Sequence, residues 1–545
     1  MSPRPVSSSS PTHSNTPSTP QDADSEASVS HSRTLTCENK SALHFTIDQW
    51  AAVECTASIA RWANRALILF LFLFALTVPH SIAAAQTSLN LGILAWLARD
   101  LTARRLHFAR TIIDWPLACF AALTILSSIF SVEPSISLPK LKTLGLFSLV
   151  YLLATNVSVR GVRLLLAALL ISSLVGVSFS LAEKLRGRGM AIAEIAPNSP
   201  LSNSGLRVGD VIWMIARKGV STPEEAGQVI RHQRVGNILD VEALHAGDPV
   251  PVTITVTEEM QAQENPLGIR TNGRSRQFRV SGFSRQFLTY AEQMQILALL
   301  AFGALLAGLR RWRQHLSARR WVFVSSLLFV LYALALVLTA TRAVMVSLAV
   351  ALFLVALCVG GVRASAIALV ATLALIGLGI FTVTTARQEA AISFRDDSTA
   401  RRVAYMQAGL RIIPAHPLLG VGMDAHKRHW HEWGFPGDYI THTHSTPIQL
   451  ALDRGIPALF CYGWLLAVLW LGLWQAYQRA KTERGWLTEA LLLGAFAALS
   501  GFSVSSLANY NFGDSEALMM LLLVLSLALI VAKPQPIPVA SPTVA

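Results

Sequence analysis

The sequence predicts an all-α polytopic membrane protein of about twelve transmembrane helices, with one small α+β domain inserted in a loop. Three observations lead there. Of the 545 residues, 52% are hydrophobic and only 14% are charged, against roughly 25% charged in soluble domains. Apolar runs of about 20 residues, enough to cross roughly 30 Å of hydrocarbon as a helix, recur along most of the chain. Between the fifth and sixth runs, residues 183–287 lose that character and alternate short apolar segments with turn residues.

Taken in order, residues 1–43 are dominated by Ser, Thr and Pro without a core-forming pattern and read as a disordered cytoplasmic tail. Residues 44–65 mix apolar positions with Asp48, Glu54, Arg61 and Arg65, which fits either a helix lying at the interface or a plain lead-in helix. Helices one to five fall within 66–182, at 66–85, 88–98, 112–132, 143–159 and 162–182. Helices six to nine fall within 288–384, at 288–309, 321–341, 343–361 and 364–384. Helices ten to twelve fall within 446–532, at 446–475, 487–507 and 515–532, leaving 533–545 as a second cytoplasmic tail.

The net charge of +13 follows this map. Arg99, Arg104, Arg105 and Arg110 follow the second helix, Arg160 and Arg163 the fourth, Arg310, Arg311, Arg313, Arg319 and Arg320 the sixth, and Arg479, Lys481 and Arg484 the tenth. The opposite short turns carry Lys140, Lys142 and Arg342. Positive charge collects in cytoplasmic loops, so both termini are expected in the cytoplasm, with 183–287 and 385–445 outside. The basic balance is thereby assigned to topology, not to nucleic acid. The five cysteines, Cys37, Cys55, Cys119, Cys358 and Cys461, form no CxxC pair and read as small hydrophobes or loop residues.

Within the first outside segment, "GMAIAEIAPNSPLSNSGLRVGDVIWMIARKGV" gives a strand, a Pro-Asn-Ser-Pro turn and "GLRVGDVI" entering a second strand. A helical "STPEEAGQVIRH" and a strand pair around "ILDVEALHAGDPVPVTITV" follow. This pattern resembles a PDZ domain, which captures a peptide end by adding it to a sheet edge beside a loop of backbone N–H groups. The matching loop is expected after the last strand, in "NPLGIR" at residues 265–270, as in a circularly rearranged domain. A peptide clamp and a folded spacer at the active-site entrance are both consistent with it.

In the second outside segment, "RRVAYMQAGLRIIPAHPLLGVGMDAH" and "HTHSTPIQLALDRGIPALF" resemble the O-antigen ligase and polymerase family of membrane glycosyltransferases. The match is an Arg one helical turn before an aromatic position, then His-Pro-Leu-Leu-Gly-Val-Gly, then a His leading into a membrane helix. At Ser445 this chain departs from the Asn that members often carry there. The resemblance implies a glycan donor on polyprenyl pyrophosphate and transfer to an acceptor hydroxyl on a lipid, glycan or protein. The setting it implies is the outer face of the bacterial cytoplasmic membrane, with no cofactor or metal.

That chemistry needs a base for the acceptor hydroxyl and cations for the leaving pyrophosphate. His444, where the loop re-enters the membrane, is the expected catalytic residue, since neutral imidazole accepts a proton near pH 7. Three arginines are the expected substrate-binding residues. Arg342 stands alone in an outside turn, Arg402 precedes "VAYMQAGL", and Arg279 lies in "RVSGFSRQFLTYAEQ", with Arg285 as its alternate. His416 fits a helix-ending turn, and His426, His429 and His431 a loop rim. A zinc site through His429, His431, His442 and His444 is the competing reading of the same cluster. Trp430, Trp433 and Tyr439 fit sugar stacking or interfacial anchoring equally. An O-antigen or exopolysaccharide polymerase with the same donor is the alternative function. A transporter or non-catalytic scaffold presenting the PDZ-like module is a further one, disfavoured by the scarcity of ionisable groups within the apolar runs.

Overall fold

The computed structural model describes residues 47–533, apart from 203, 246–247, 285, 314–315, 388–396, 439 and 484. The expected tail at 1–43 and, apart from Lys533, the expected tail at 533–545 lie outside the described residues, as do Arg285 and Tyr439. Five helices come first: α1 (Ser58–Thr77), α2 (Ile82–Ala103), α3 (Asp114–Ile129), α4 (Pro134–Asn156) and α5 (Val159–Arg186). Residues 58–65, expected ahead of the first membrane helix, are the opening turns of α1 itself. α4 begins earlier than the apolar run suggested because Pro134 starts it, and it tightens to a 3-10 helix over Leu138–Phe147. Lys140 therefore lies on a helix and not in a turn.

The second half of the bundle comprises α8 (Phe287–Arg310), α9 (Leu316–Val337), α10 (Arg342–Val359), α11 (Val362–Arg387), α14 (Ile456–Glu483), α15 (Trp486–Ser505) and α16 (Ser515–Ala532). Among the described residues, ten helices are long and apolar enough to cross a membrane. The protein is a multi-pass membrane protein. Of the twelve expected helices, α2, polar at Gln86, Asn90, Arg99 and Asp100, and α3, with 16 residues, do not join that set.

Buried almost throughout, α8 packs along α15 and α9 at the centre of the bundle. Gly303 and Gly494 allow this approach, since a Cβ on Gly303 would run into the Gly494 backbone. Several of the arginines lie at one end of the bundle. Arg99 is fully buried there, donating to Asn64 and Asn156 at 2.9 and 2.5 Å and pairing with Asp100 at 2.8 Å. Arg310 and Arg311 pair with Glu489 at 2.8 and 3.0 Å.

From the other end projects a small antiparallel sheet with strands β1 (Met190–Ile195), β2 (Val211–Ile215), β3 (Lys218–Gly219), β4 (Ile238–His245), β5 (Asp248–Thr255) and β6 (Ile269–Thr271). Helix α6 (Pro223–Arg231) precedes β4 and α7 (Glu258–Ala262) follows β5. The strand order is β5-β4-β2-β1-β6, with β3 paired to β2. The sheet has its own core, including Ile192, Ile212, Val241 and Ile254. Val211 and Leu244 instead join the bundle core, and the Arg188 guanidinium lies 4.9 Å from the Trp213 ring and 4.7 Å from that of Phe278.

Candidate active site

The histidine-rich loop emerges at the same end of the bundle as the sheet. It begins with α12 (Asp397–Ile412) and returns through α13 (Thr446–Arg454). The two glycines of "HPLLGVGM" are needed for its path. Gly420 and Gly422 have φ of +64° and +99°, and a Cβ on either would collide, with the Leu452 carbonyl or with Ser131. Their absence of side chains lets Val421 N–H donate to Leu452 O at 2.8 Å while Val132 N–H donates to Val421 O at 3.0 Å. The loop is thus stitched to both α13 and the end of α3. Gly455, with φ +83°, stops α13 so that α14 starts afresh, and the expected continuous helix over 446–475 is two helices.

On α12, Arg402, Tyr405 and Gly409 share a face by helical spacing, and that face meets the histidines. The Tyr405 ring stacks on His444 with centroids 5.7 Å apart, and Gly409 packs against Thr443. His442 and His444 lie edge to face at 4.4 Å. The backbone N–H of His444 donates to His442 Nδ1 at 3.2 Å, which fixes Nδ1 of His442 as an acceptor. The two rings are therefore not equivalent. His444 Nδ1 is buried without a hydrogen-bond partner. His444 also holds φ at 55°, a left-handed conformation that costs a non-glycine residue roughly 1–2 kcal/mol.

Burial first, then the charges of His442 and Arg402, push the His444 imidazole down to about 3. Burial, then Lys427 and Arg402, bring His442 to about 4. Both rings are neutral across the physiological range, as a proton acceptor must be.

Of the three expected arginines, the structure brings Arg402 to the histidines. Its Nη1 donates to Asn509 Oδ1 at 3.2 Å and Ala508 O at 3.4 Å. Arg279 and Arg342 share a different corner. Arg279 is 6% exposed, donating from Nε to Thr339 O at 2.9 Å and from Nη2 to Thr341 Oγ1 at 3.2 Å, with its guanidinium 3.3 Å from the Phe287 ring centroid. Those two threonines form the turn that presents Arg342 as the first residue of α10.

A cavity of about 630 Å³ opens at this end of the bundle, and His442 is on its wall. None of the four expected residues lines it. Its polar lining comes from Lys140, Asp424, Lys427, Asp453, Arg454, Tyr510, Asp514 and Glu516, with Glu292 and Asn511 at its inner end. Lys140 and Lys427 both pair with Asp424, at 2.6 and 3.0 Å. Although burial raises it, Asp424 is held below the usual carboxylate range by these two lysines. The sequence pattern marks Lys140 only as a topology signal. The signals available were an outside lysine and the Asp-Arg pair at 453–454.

Behind the cavity, Glu292 on α8 is a hub. Its carboxylate accepts from Ser505, from Asn509 Nδ2 at 3.3 Å and from Asn511 Nδ2 at 3.4 Å. Asn509 in turn accepts from Arg402, and Asn511 Oδ1 accepts from Thr446 Oγ1 at 3.1 Å, two residues beyond His444.

His416 ends a helical turn, its N–H donating to Ile413 O at 3.1 Å, whereas His426 and Trp430 depart from their expected places. His426 is fully buried and not on the rim, because Nε2 is held at 3.1 Å by Thr441 O and Nδ1 lies 3.5 Å from Asp453. His429 contacts Glu432 and Glu133 at 2.7 and 3.2 Å. Among the described residues, no group of three or more His, Cys, Asp or Glu side chains is arranged to hold a metal. Trp430 is 1% exposed, stacked on Phe435 at 4.4 Å and donating to Gly437 O, so it belongs to the core of the loop.

In the sheet domain, β6 pairs antiparallel with β1 at the edge, preceded by the 265–268 turn and followed across the gap by α6. The "NPLGIR" segment thus leads into an edge strand.

Residues 327–463 match the O-antigen ligase family. This segment runs from within α9 into α14 and contains Arg342, Arg402, His444 and Arg454. Residues 173–256 match the PDZ domain family. That match starts inside α5 and ends before β6, so the strand neighbouring β1 at the edge comes from outside the matched range, as a rearranged order implies. Among curated proteins, the chain is 36% identical over 62 residues to the magnetosome formation protease MamE of Magnetospirillum gryphiswaldense, covering 11% of this chain and 8% of that protein. It is 32% identical over 68 residues to MamE of Paramagnetospirillum magneticum, covering 12% and 9%. The chain spans less than a tenth of the length of these relatives. The ligase-family match supports a membrane glycan-transfer role.

Proposed function

We propose that the protein transfers a glycan from a polyprenyl-pyrophosphate donor to an acceptor hydroxyl at the extracytoplasmic face of the bacterial cytoplasmic membrane, with both termini in the cytoplasm. The observation that carries this reading is His444. It is neutral, has an unpartnered Nδ1, sits one ring from a polar cavity, and lies inside the ligase-matched segment.

In the reaction, the neutral His444 imidazole takes the proton of the acceptor hydroxyl as its oxygen bonds to the anomeric carbon. The bond from that carbon to the pyrophosphate oxygen breaks, and the electron pair leaves with the pyrophosphate. Arg402 and Arg342 balance the charge that develops there. Arg279 fixes the Thr339–Thr341 turn that presents Arg342. A base of this kind contributes about 10²- to 10⁴-fold. The sheet domain supplies a strand edge, β6, on which a peptide or an acceptor-carrying partner docks.

A strain lacking the protein should accumulate lipid-linked glycan and lose a surface glycoconjugate. Accumulation of full-length polymer marks a ligase and of single repeat units a polymerase. Unchanged lipid-linked glycan in the deletion strain would refute the reading.

A further inference from the structure

Arg454 is the most demanding group in the cavity wall. It is 4% exposed; the Tyr510 hydroxyl lies beside it, but Nε and Nη1 meet no acceptor at good hydrogen-bond geometry, and the nearest carboxylate oxygen, on Asp453, is 3.9 Å from Nη1. The guanidinium is held in place by other means. Nη2 donates to Met423 Sδ at 3.0 Å, and the rings of Phe120 and Phe512 lie 5.7 and 5.9 Å from its carbon. Asp453 is turned away to Gln449, which donates to it at 2.9 Å.

Leaving charged donors buried and poorly matched is costly, and an acceptor entering from the cavity would relieve that cost. Two further cations line the same cavity, Lys140 and Lys427, each about two-fifths exposed and each spending one contact on Asp424. Sugar hydroxyls do not call for three cations on one cavity, whereas a phosphate group offers several charged acceptor oxygens to guanidinium and ammonium donors together. Five carboxylates line the same cavity, Glu292, Asp424, Asp453 and, at the start of α16, Asp514 and Glu516, so the subsite is the cationic corner around Arg454 and not the cavity as a whole.

We propose that Arg454, Lys140 and Lys427 form an oxyanion subsite that takes a phosphate-bearing part of the glycan substrate beside His442. The proposal rests on the transfer reading for the identity of the ligand, not for the existence of the site. Two sources carry this chemistry, the pyrophosphate of the polyprenyl donor and a phosphate on the acceptor.

The test is equilibrium binding to the purified full-length protein in lipid nanodiscs, without turnover. The probes are inorganic pyrophosphate, polyprenyl pyrophosphate, and an oligosaccharide acceptor with and without its phosphate. Arg454→Met keeps the apolar contacts with Phe120 and Phe512, and Lys140→Met with Lys427→Met provides a second variant on half-exposed positions.

Pyrophosphate affinity should fall at least tenfold in both variants. A parallel loss for polyprenyl pyrophosphate assigns the oxyanion to the donor, and a parallel loss for the phosphorylated acceptor with polyprenyl pyrophosphate unchanged assigns it to the acceptor. Binding of every probe unchanged in both variants overturns the subsite, even where glycan transfer itself is intact. Binding that depends on Arg454 in a protein incapable of transfer would instead leave the subsite standing and remove the transfer reading.

Discussion

Glu292 lines the cavity and is hydrogen-bonded to Asn509, and Glu292→Gln should lower transfer through Arg402. The carboxylate accepts from Ser505, Asn509 and Asn511. An amide in its place presents an NH₂ to one of these donors, so at least one contact becomes donor against donor. A buried donor left unmatched costs about 1–3 kcal/mol. The Asn contacts, at 3.3 and 3.4 Å, are long, which places the loss near the lower bound. At 1.4 kcal/mol per factor of ten, that is about a fivefold fall in kcat/KM.

Asn509 is the link, because the same side chain accepts from Arg402. The assay is a double-mutant cycle in purified protein, measuring transfer by wild type, Glu292→Gln, Arg402→Ala and the double variant. If Glu292 works by aiming Asn509 at Arg402, the second substitution costs little once Arg402 is gone, giving a coupling of about 1 kcal/mol or more. Strict additivity of the two losses would refute this chain of contacts.

Three further outcomes follow from the same geometry. Because burial and neighbouring positive charge depress both loop histidines, the base-competent neutral form persists as pH falls through the ordinary imidazole value near 6.5. The acid limb of kcat/KM should therefore lie below about pH 5, approaching the values near 3 and 4, and a limb centred near 6.5 would contradict the environment described. Removing residues 189–274 should leave the bundle in the membrane, since Arg188 and Ser275 already bond to each other at the neck, at 2.8 and 3.2 Å; loss of the protein from membranes on immunoblotting would show that the sheet domain is needed for folding. Cysteines placed at Gln228 and Thr482, with native cysteines replaced, should react oppositely with an impermeant thiol reagent in intact cells, Gln228 labelled and Thr482 protected, and the reverse would invert the topology.

Much of this was legible in the sequence because hydrophobic length is a local property. The long helices, the inserted sheet domain and the displaced edge strand all follow from patterns within a few tens of residues. The Gly-x-Gly and His elements were legible too, since Gly420 and Gly422 are required by close backbone approach. Less legible was anything set by packing between distant segments. Lys140 joins Asp424, Glu292 joins Asn509, and Arg454 faces a cavity, each across more than 30 residues, and no periodicity records such meetings. The division of labour between His442 and His444 depends on one backbone N–H, which sequence spacing alone does not reveal. Trp430 and His426 were misplaced for the opposite reason: a polar, aromatic-rich loop folded a small core of its own.

The central claim is that His444 acts on the acceptor hydroxyl while the pyrophosphate is held elsewhere. It is tested most directly by glycan transfer and donor binding measured together in purified His444→Ala protein, with chelator present. The account predicts transfer reduced by about 10²-fold or more with polyprenyl-pyrophosphate binding retained. Transfer at the wild-type rate by His444→Ala, or activity lost to the chelator in the unaltered protein and restored by zinc, would contradict it.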